Sequence, residues 1–434
     1  MKSVLAAYLA RQKSVRRQSG LPVSPALGIG VVIPCYNEPG LLRCLYSLAA
    51  AGKPGCDVEI CIVVNAPDNA PDAAVACNRQ TVAALDAFIR ETATPSFRVY
   101  YLDVTLPAGK YAGVGLARKI GMDETIHRFA AIRRPDGVLV SLDADCEVSP
   151  EYFTEIERTF RAPAARYASA VLDFEHPLPP PGEEPAVRKA MIQYELYLRY
   201  YKHALRYTGF PYPYHTIGSC FAVTAETYCR AGGMGKYQGG EDFYFLQKVF
   251  PLGKTAEIRT ARVFPAARLS DRVPFGTGPS LIRLAEQAEP VKYTYAWESF
   301  GWIRRFIAAR QACFKQSAAS VRTGWSRLSM PGCPGGLPGP FRQYLDDIHL
   351  AEAIEELGRN CASPAIFERR FFDIFSALRI LQALNALQQT YPLQPVARET
   401  ARLLKAVYGT AVPEETPLSE SGALALLRQI QAYG

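Results

Sequence analysis

Val138-Leu139-Val140-Ser141-Leu142-Asp143-Ala144-Asp145 is the stretch that decides the fold. Five apolar or small residues of strand length run straight into two carboxylates set one residue apart. An extended backbone sends such a pair to alternate sides as it leaves a sheet. Working toward the N-terminus, the same grammar recurs. Ile29–Ile33 is followed by Pro34-Cys35-Tyr36-Asn37-Glu38, Ile60–Val64 by Asn65-Ala66-Pro67-Asp68, and Phe97–Leu102 by Asp103. Helical stretches at about 41–51, 72–91 and 113–131 separate these runs. Continuous apolar strands alternating with helices predict a mostly parallel α/β sheet covered on both faces. Ligands of such sheets bind in the crevice at the carboxyl ends of the strands, where the polar residues collect here.

Hard cations such as Mg²⁺ or Mn²⁺ take oxygen ligands, and Mg²⁺ is commonly held by one or two carboxylates plus substrate phosphates. Asp143 and Asp145 therefore form a candidate metal–diphosphate clamp. The competing reading, in which the aspartates cap the next helix, is weakened because Ser149-Pro150-Glu151 already supplies a helix start. A second acidic cluster, Glu241-Asp242, follows Gly239-Gly240. Its carboxylates serve either as dipole-complementing charges at a helix start or as a general base that takes a proton from an attacking hydroxyl.

Taken together these residues resemble a family-2 glycosyltransferase of the GT-A fold, an inverting class. The resemblance rests on Val31 to Glu38, on Ser141 to Asp145, and on Gly232-Gly233 followed by Gly239-Gly240-Glu241-Asp242. Lys110 and the segment Gly113 to Gly121, with Ala117-Arg118-Lys119, are similar to the family's stretch before its DxD. It implies a Rossmann-like catalytic domain over 28–280, a nucleotide-sugar donor (UDP- or GDP-linked), a hydroxyl acceptor and a divalent metal, Mg²⁺ or Mn²⁺. Pro34, Tyr36, Asn37, Glu38, Asn65, Lys110 and Asp143 would surround the nucleotide sugar. Asp143 and Asp145 would hold the cation, and Asp242 would be the catalytic base supported by Glu241. Two departures stand out. The family's Asp pair at the end of the second strand is here Asn65-Ala66, whose amide is able to bond a base edge. No His follows the acidic cluster until His349, so a His metal ligand is not identifiable. The QxxRW motif of processive members is absent, which favours single-sugar transfer.

Outside that span the sequence is less specific. Residues 1–27 form a basic helical segment, and 281–434 a mainly helical region with a Pro/Gly-rich linker at 330–340. Tyr212, Tyr214 and His215 are candidates for the acceptor side. So are Arg268 and Arg272, which alternatively form a solvated loop. Tyr194, Tyr197 and Tyr201 share one helix face and favour a core stripe. The 434-residue chain carries Lys+Arg 49 against Asp+Glu 41, a net +8. The first twenty residues hold five of those charges, 21–280 sum to zero and 281–434 hold the other three, so a nucleic-acid partner is disfavoured. Between 301 and 330, six basic residues interleave with Trp302, Phe306, Phe314 and Trp325. Such a helix either lies on an anionic membrane or buries its aromatics in a core. Eleven cysteines without a CxxC pair, and no apolar run of membrane length, suggest a reducing, cytoplasmic setting, with peripheral contact at the inner membrane face as the further option. Two other function classes fit less well. A sugar nucleotidyltransferase needs a basic Gly-rich signature that Gly28-Ile29-Gly30 lacks, and a non-catalytic nucleotide-sugar binder has no need of Asp242.

Overall fold

The structure is a computed structural model and describes residues 3–12, 19–162, 166–180, 182–269, 276–287, 290–330, 335–410 and 419–433. The chain divides into two compact units: Met1–Met191 with His215–Arg283 and Arg428–Gly434, and Ile192–Tyr214 with Leu284–Leu427.

In the first unit the order is α1 (Val4–Arg11), β1 (Leu27–Cys35), α2 (Leu41–Ala50), β2 (Asp57–Pro67), α3 (Asp72–Thr92), β3 (Phe97–Leu106), α4 (Val114–Ala131), β4 (Val138–Ser141), β5 (Cys146–Val148), α5 (Tyr152–Arg161) and β6 (Ser169–Phe174). After α6 (Pro185–Tyr207), a helix shared with the second unit, come β7 (Phe221–Thr224), α7 (Ala225–Arg230), α8 (Glu241–Val249), β8 (Thr255–Pro265) and α9 (Thr277–Ala285). The eight strands form one sheet in the order β3-β2-β1-β4-β7-β6-β8-β5. β1 pairs in parallel with β2 and β4, and β2 with β3. β7 is antiparallel to both β4 and β6, β6 is parallel to β8, and β5 closes the edge antiparallel to β8. The mostly parallel α/β sheet expected from the sequence is present.

Order reverses at β1. The chain moves outward through β2 and β3, then returns to lay β4 on the other side, with Val32 opposite Ser141. That reversal opens the crevice typical of ligand sites in such sheets, bounded by Pro34-Cys35 and Leu142-Asp143. β1 is buried at all nine positions, which is why its sequence is continuously apolar. α4 lies against it unusually closely. A Cβ on Gly121 would come within 2.5 Å of Val32 Cγ1 and 2.9 Å of Val63 Cγ2, so only glycine fits the contact.

One local expectation changes. Ser149 does not cap α5: its hydroxyl accepts the N–H of Arg262 at 3.0 Å, because β5 intervenes and pairs with β8. Of the apolar run 217–223 only the part from Phe221 is strand, and β7 ends at Thr224. The helix expected in the N-terminal segment forms over Val4–Arg11. Leu5 and Tyr8 of α1 are buried, and Tyr8 reaches the buried Asp123 of α4.

The second unit holds α10 (Trp297–Ala308), α11 (Ala318–Trp325), α12 (Gly339–Asp347), α13 (Leu350–Asn360), α14 (Pro364–Ile374), α15 (Ala377–Leu387), α16 (Val396–Tyr408) and most of α17 (Glu420–Tyr433). Helix starts follow capping chemistry. Ser317 and Ser363 accept the N–H groups of Ser320 and Ile366, and Pro364 occupies the first turn of α14. Trp302, Phe306 and Trp325 are buried, with Phe306 packed on Phe341, Phe371 and Phe375. The basic stretch 301–330 thus spends these aromatics on a core. Tyr194 and Tyr200 are likewise buried, and the Tyr200 hydroxyl donates to the Tyr295 carbonyl at 2.9 Å. Of the linker 330–340, residues 331–334 lie outside the described residues. No described helix is long and apolar enough to cross a membrane.

Candidate active site

The carboxyl end of β1 turns through Asn37, whose φ of 49° is held by its N–H donating to Asn78 Oδ1 at 3.0 Å. Asn78 donates in turn to the Asn65 carbonyl at 2.9 Å. The Asn65 amide nitrogen donates to the carbonyls of Cys35 and Val63 at 3.0 and 3.1 Å. Asn65 is buried, and its donor ties the ends of β1 and β2 together in place of reaching for a base. Pro34 is buried within the strand, and Tyr36 is half-buried beside it.

Glu38 is buried, and its carboxylate accepts the Gly40 N–H at 2.7 Å and pairs with the Arg268 guanidinium. Arg268 also lies 3.5 Å from Asp145 Oδ2. Arg268, three residues past β8, is thereby drawn to the strand-end carboxylates and is not a solvated loop charge. Arg272 lies outside the described residues.

Asp143 and Asp145 leave β4 with about a third of each side chain exposed, 37% and 30%. Neither caps a helix. Asp143 Oδ1 accepts from Arg118 Nη2 at 2.6 Å, and Cys146 Sγ is 3.6 Å from Asp145 Oδ1. No group of three or more His, Cys, Asp or Glu side chains able to hold a metal occurs among the described residues. Two accessible carboxylates still fit the donor set of Mg²⁺ or Mn²⁺, whose remaining ligands are ordinarily waters and substrate phosphate oxygens. Asp143 and Asp145 would hold such an ion.

Glu241 and Asp242 form the first turn of α8, entered through Gly240 at φ 73°, a left-handed conformation that favours glycine. Glu241 is buried and pairs with Arg118. Burial, and next the charge of Glu241, push the Asp242 carboxyl up to about 6, while Arg118 pulls it down. A Cβ on Gly218 would meet Arg118 Nη2 at 3.0 Å and Asp242 Oδ2 at 3.1 Å, so glycine there lets the two groups approach across its backbone. Burial lowers the tendency of Arg118 to stay charged, but Asp143, Glu241 and Asp242 outweigh it and hold the guanidinium firmly protonated.

Residues 30–210 match the family model described as glycosyl transferase family 2. They are a family-2 glycosyltransferase domain. The matched span contains β1 from Gly30 on, Asn65, Arg118 and the Asp143–Asp145 pair, and stops short of Glu241-Asp242 and Arg268. No curated protein sequence matches the chain. Solved structures similar to it include residues 1–349 of S. aureus TarS in complex with UDP-GlcNAc, at 12% identity and TM-score 0.39 over 79% of this chain and 90% of that one. Another is the mannosyltransferase PcManGT from Pyrobaculum calidifontis in complex with GDP-Man and Mn²⁺, at 14% identity and TM-score 0.31 over 99% and 94%. Likenesses this distant do not bear on the site, which rests on its own geometry.

Within the family-2 domain, Lys110 is exposed, with its amine 4.9 Å from the centre of the Tyr111 ring. Its loop is fastened to the approach to α8 by Gln238 Nε2, which donates to the Gly109 and Ala112 carbonyls at 2.9 and 3.1 Å. His215 is buried, its Nε2 2.8 Å from the Leu172 carbonyl and its ring edge-on to Phe174. Tyr212 and Tyr214 belong to the second unit, where Tyr212 packs on Phe210. The residue that sequence reasoning underrated is Arg118. Next to Lys119 on a helix it resembles one of two solvated charges, yet it is buried between both acidic motifs.

Proposed function

We propose that the family-2 domain transfers a sugar from a nucleotide-sugar donor, UDP- or GDP-linked, to an acceptor hydroxyl in one inverting displacement. The observation that carries this reading is Asp242. A carboxyl held near neutrality stands beside Arg118, which also grips the strand-end Asp143. That arrangement suits a base working next to a diphosphate clamp. Asp143 and Asp145 orient the donor's diphosphate at the crevice rim, with Arg268 and Glu38 alongside. A divalent ion bound to the two aspartates would neutralise the charge that develops on the departing diphosphate. Asp242 takes the proton of the acceptor hydroxyl as that oxygen attacks the anomeric carbon, and an attack from the face opposite the leaving group inverts the configuration. Glu241 pairs with Arg118, and its charge helps keep the Asp242 carboxylate basic. A sugar nucleotidyltransferase would have no need of such a base.

Thermal-shift screening of sugar nucleotides with and without Mn²⁺ tests the donor assignment, since a ligand that binds only the folded protein raises its apparent stability. The reading predicts stabilisation by one nucleotide class, enlarged by Mn²⁺, and a product of inverted anomeric configuration by NMR. Release of NTP on adding pyrophosphate, or a product of retained configuration, would overturn it.

A further inference from the structure

Arg118 lies in the second turn of α4 between two close contacts. Three residues before it, a Cβ on Gly115 would come within 2.2 Å of the Tyr237 carbonyl, on the loop that leads into α8. Three residues after it, Gly121 is pressed on Val32 and Val63 of the sheet. The first turns of the helix are therefore fixed against the loop before α8 at Gly115 and against β1 and β2 at Gly121. From that rail the guanidinium gives Nη2 to Asp143 at 2.6 Å and Nη1 to Glu241. Its side chain is 3% exposed, and its Nε has no hydrogen-bond partner. Planar guanidinium is suited to bridge two carboxylates, whereas an ammonium is a single point charge.

The geometry points to Arg118 as a positioning residue that couples the metal-binding carboxylates to the base, through one buried guanidinium shared by Asp143 and Glu241. This inference rests on the transferase reading above. It follows that Arg118 has two opposed effects. It aims α8, so that Asp242 faces the reacting hydroxyl, and it competes with a divalent ion for Asp143. Against one cation, Asp143, Asp145, Glu241 and Asp242 leave the cluster anionic, which a divalent ion offsets. Without Arg118 the cluster attracts the ion more strongly but no longer holds the base in place.

The test uses the full chain, with free Mn²⁺ followed by electron paramagnetic resonance and transfer measured separately. Arg118→Met is expected to bind Mn²⁺ roughly 3- to 10-fold tighter. Its kcat is expected to fall about 100-fold or more, the scale of a misplaced catalytic group. Glu241→Ala cuts only the base-side arm, so its kcat falls similarly while Mn²⁺ affinity stays within about twofold. The double variant is expected to lose no more than Arg118→Met alone, as residues acting as a unit do. Parallel loss of Mn²⁺ binding and kcat in a folded Arg118→Met, or a double variant whose loss is the product of the single losses, would overturn the coupling. Should Arg118→Met fail to fold, Arg118→Lys replaces it. A lysine serves one carboxylate at a time and is expected to lose about tenfold or more in kcat, so full activity there would overturn the proposal. If the unaltered protein turns over no sugar nucleotide, the transferase reading fails, and the Mn²⁺ titration still decides whether Arg118 competes for Asp143.

Discussion

Tyr8 offers a clean test of how the N-terminal helix is held. Its side chain is buried, its hydroxyl donates to Asp123 Oδ1 at 2.7 Å and accepts from Lys119 Nζ at 3.0 Å. Tyr228 donates to the same Asp123 oxygen at 2.8 Å, and Lys119 pairs with the other at 2.8 Å. Tyr8→Phe keeps the edge-on ring contact with Tyr228 and removes only the hydroxyl. Asp123, fully buried, loses a donor, and Lys119 loses an acceptor. Leaving buried groups short of a partner costs about 1–3 kcal/mol. Helix α1 has 8 residues, below the length at which an isolated helix persists in water, so weakened docking appears as local unfolding. At about 0.59 kcal/mol per RT unit the cost converts to roughly 5- to 150-fold faster amide exchange across residues 5–11. Hydrogen exchange read by mass spectrometry on the N-terminal peptide measures this directly. Rates within twofold of the unaltered protein would refute the claim that the buried network holds α1.

The remaining predictions concern charge. With Asp242 pushed up to about 6, kcat/KM for transfer is expected to fall about tenfold per pH unit below that value and to level off above it. A limb centred near 4 would contradict the site's electrostatics. Stability carries the opposite sign. A carboxyl raised from 3.8 to about 6 on folding favours the protonated native state, so its stabilising contribution is present at low pH and lost as pH rises through about 6. Arg128 and Glu59 form a buried pair, with Nη2 2.6 Å from Oε1. Arg128→Met strands the Glu59 carboxylate and is expected to cost about 3–5 kcal/mol in urea unfolding, and Arg128→Met with Glu59→Leu to recover most of it; a single-variant loss below about 1 kcal/mol would refute this.

The first half of the sheet was legible because parallel strands buried on both faces must be continuously apolar, as β1, Ile60–Val64 of β2 and Val138–Val140 of β4 are, while β3 at the sheet edge is mixed. Polar residues then cluster where each strand ends, which made Glu38 and the Asp143–Asp145 pair readable without coordinates. The second half was not. β5 has three residues and β7 four, too short for a periodic signal. β8 does alternate, but its partly buried positions carry Glu257, Arg259 and Arg262 and dilute the apolar signal. Arg118 was hidden for a different reason. Its burial depends on the loop before α8 closing over Gly115, a contact more than a hundred residues away in sequence. Asn65 was readable as a polar strand end, but only the structure shows its amide spent on Cys35 and Val63. α1 was readable as a short helix with a basic end, but the buried partner of Tyr8, Asp123 of α4, lies more than a hundred residues away.

The central claim is that Asp242 accepts the proton of an acceptor hydroxyl next to a donor held by Asp143 and Asp145. Turnover and nucleotide binding in Asp242→Asn at pH 8, with Mn²⁺, test it most directly. The account predicts that the nucleoside diphosphate binds within about threefold of the unaltered protein while transfer falls about 10²- to 10⁴-fold. Unchanged transfer, or loss of nucleotide binding in step with turnover, would contradict it.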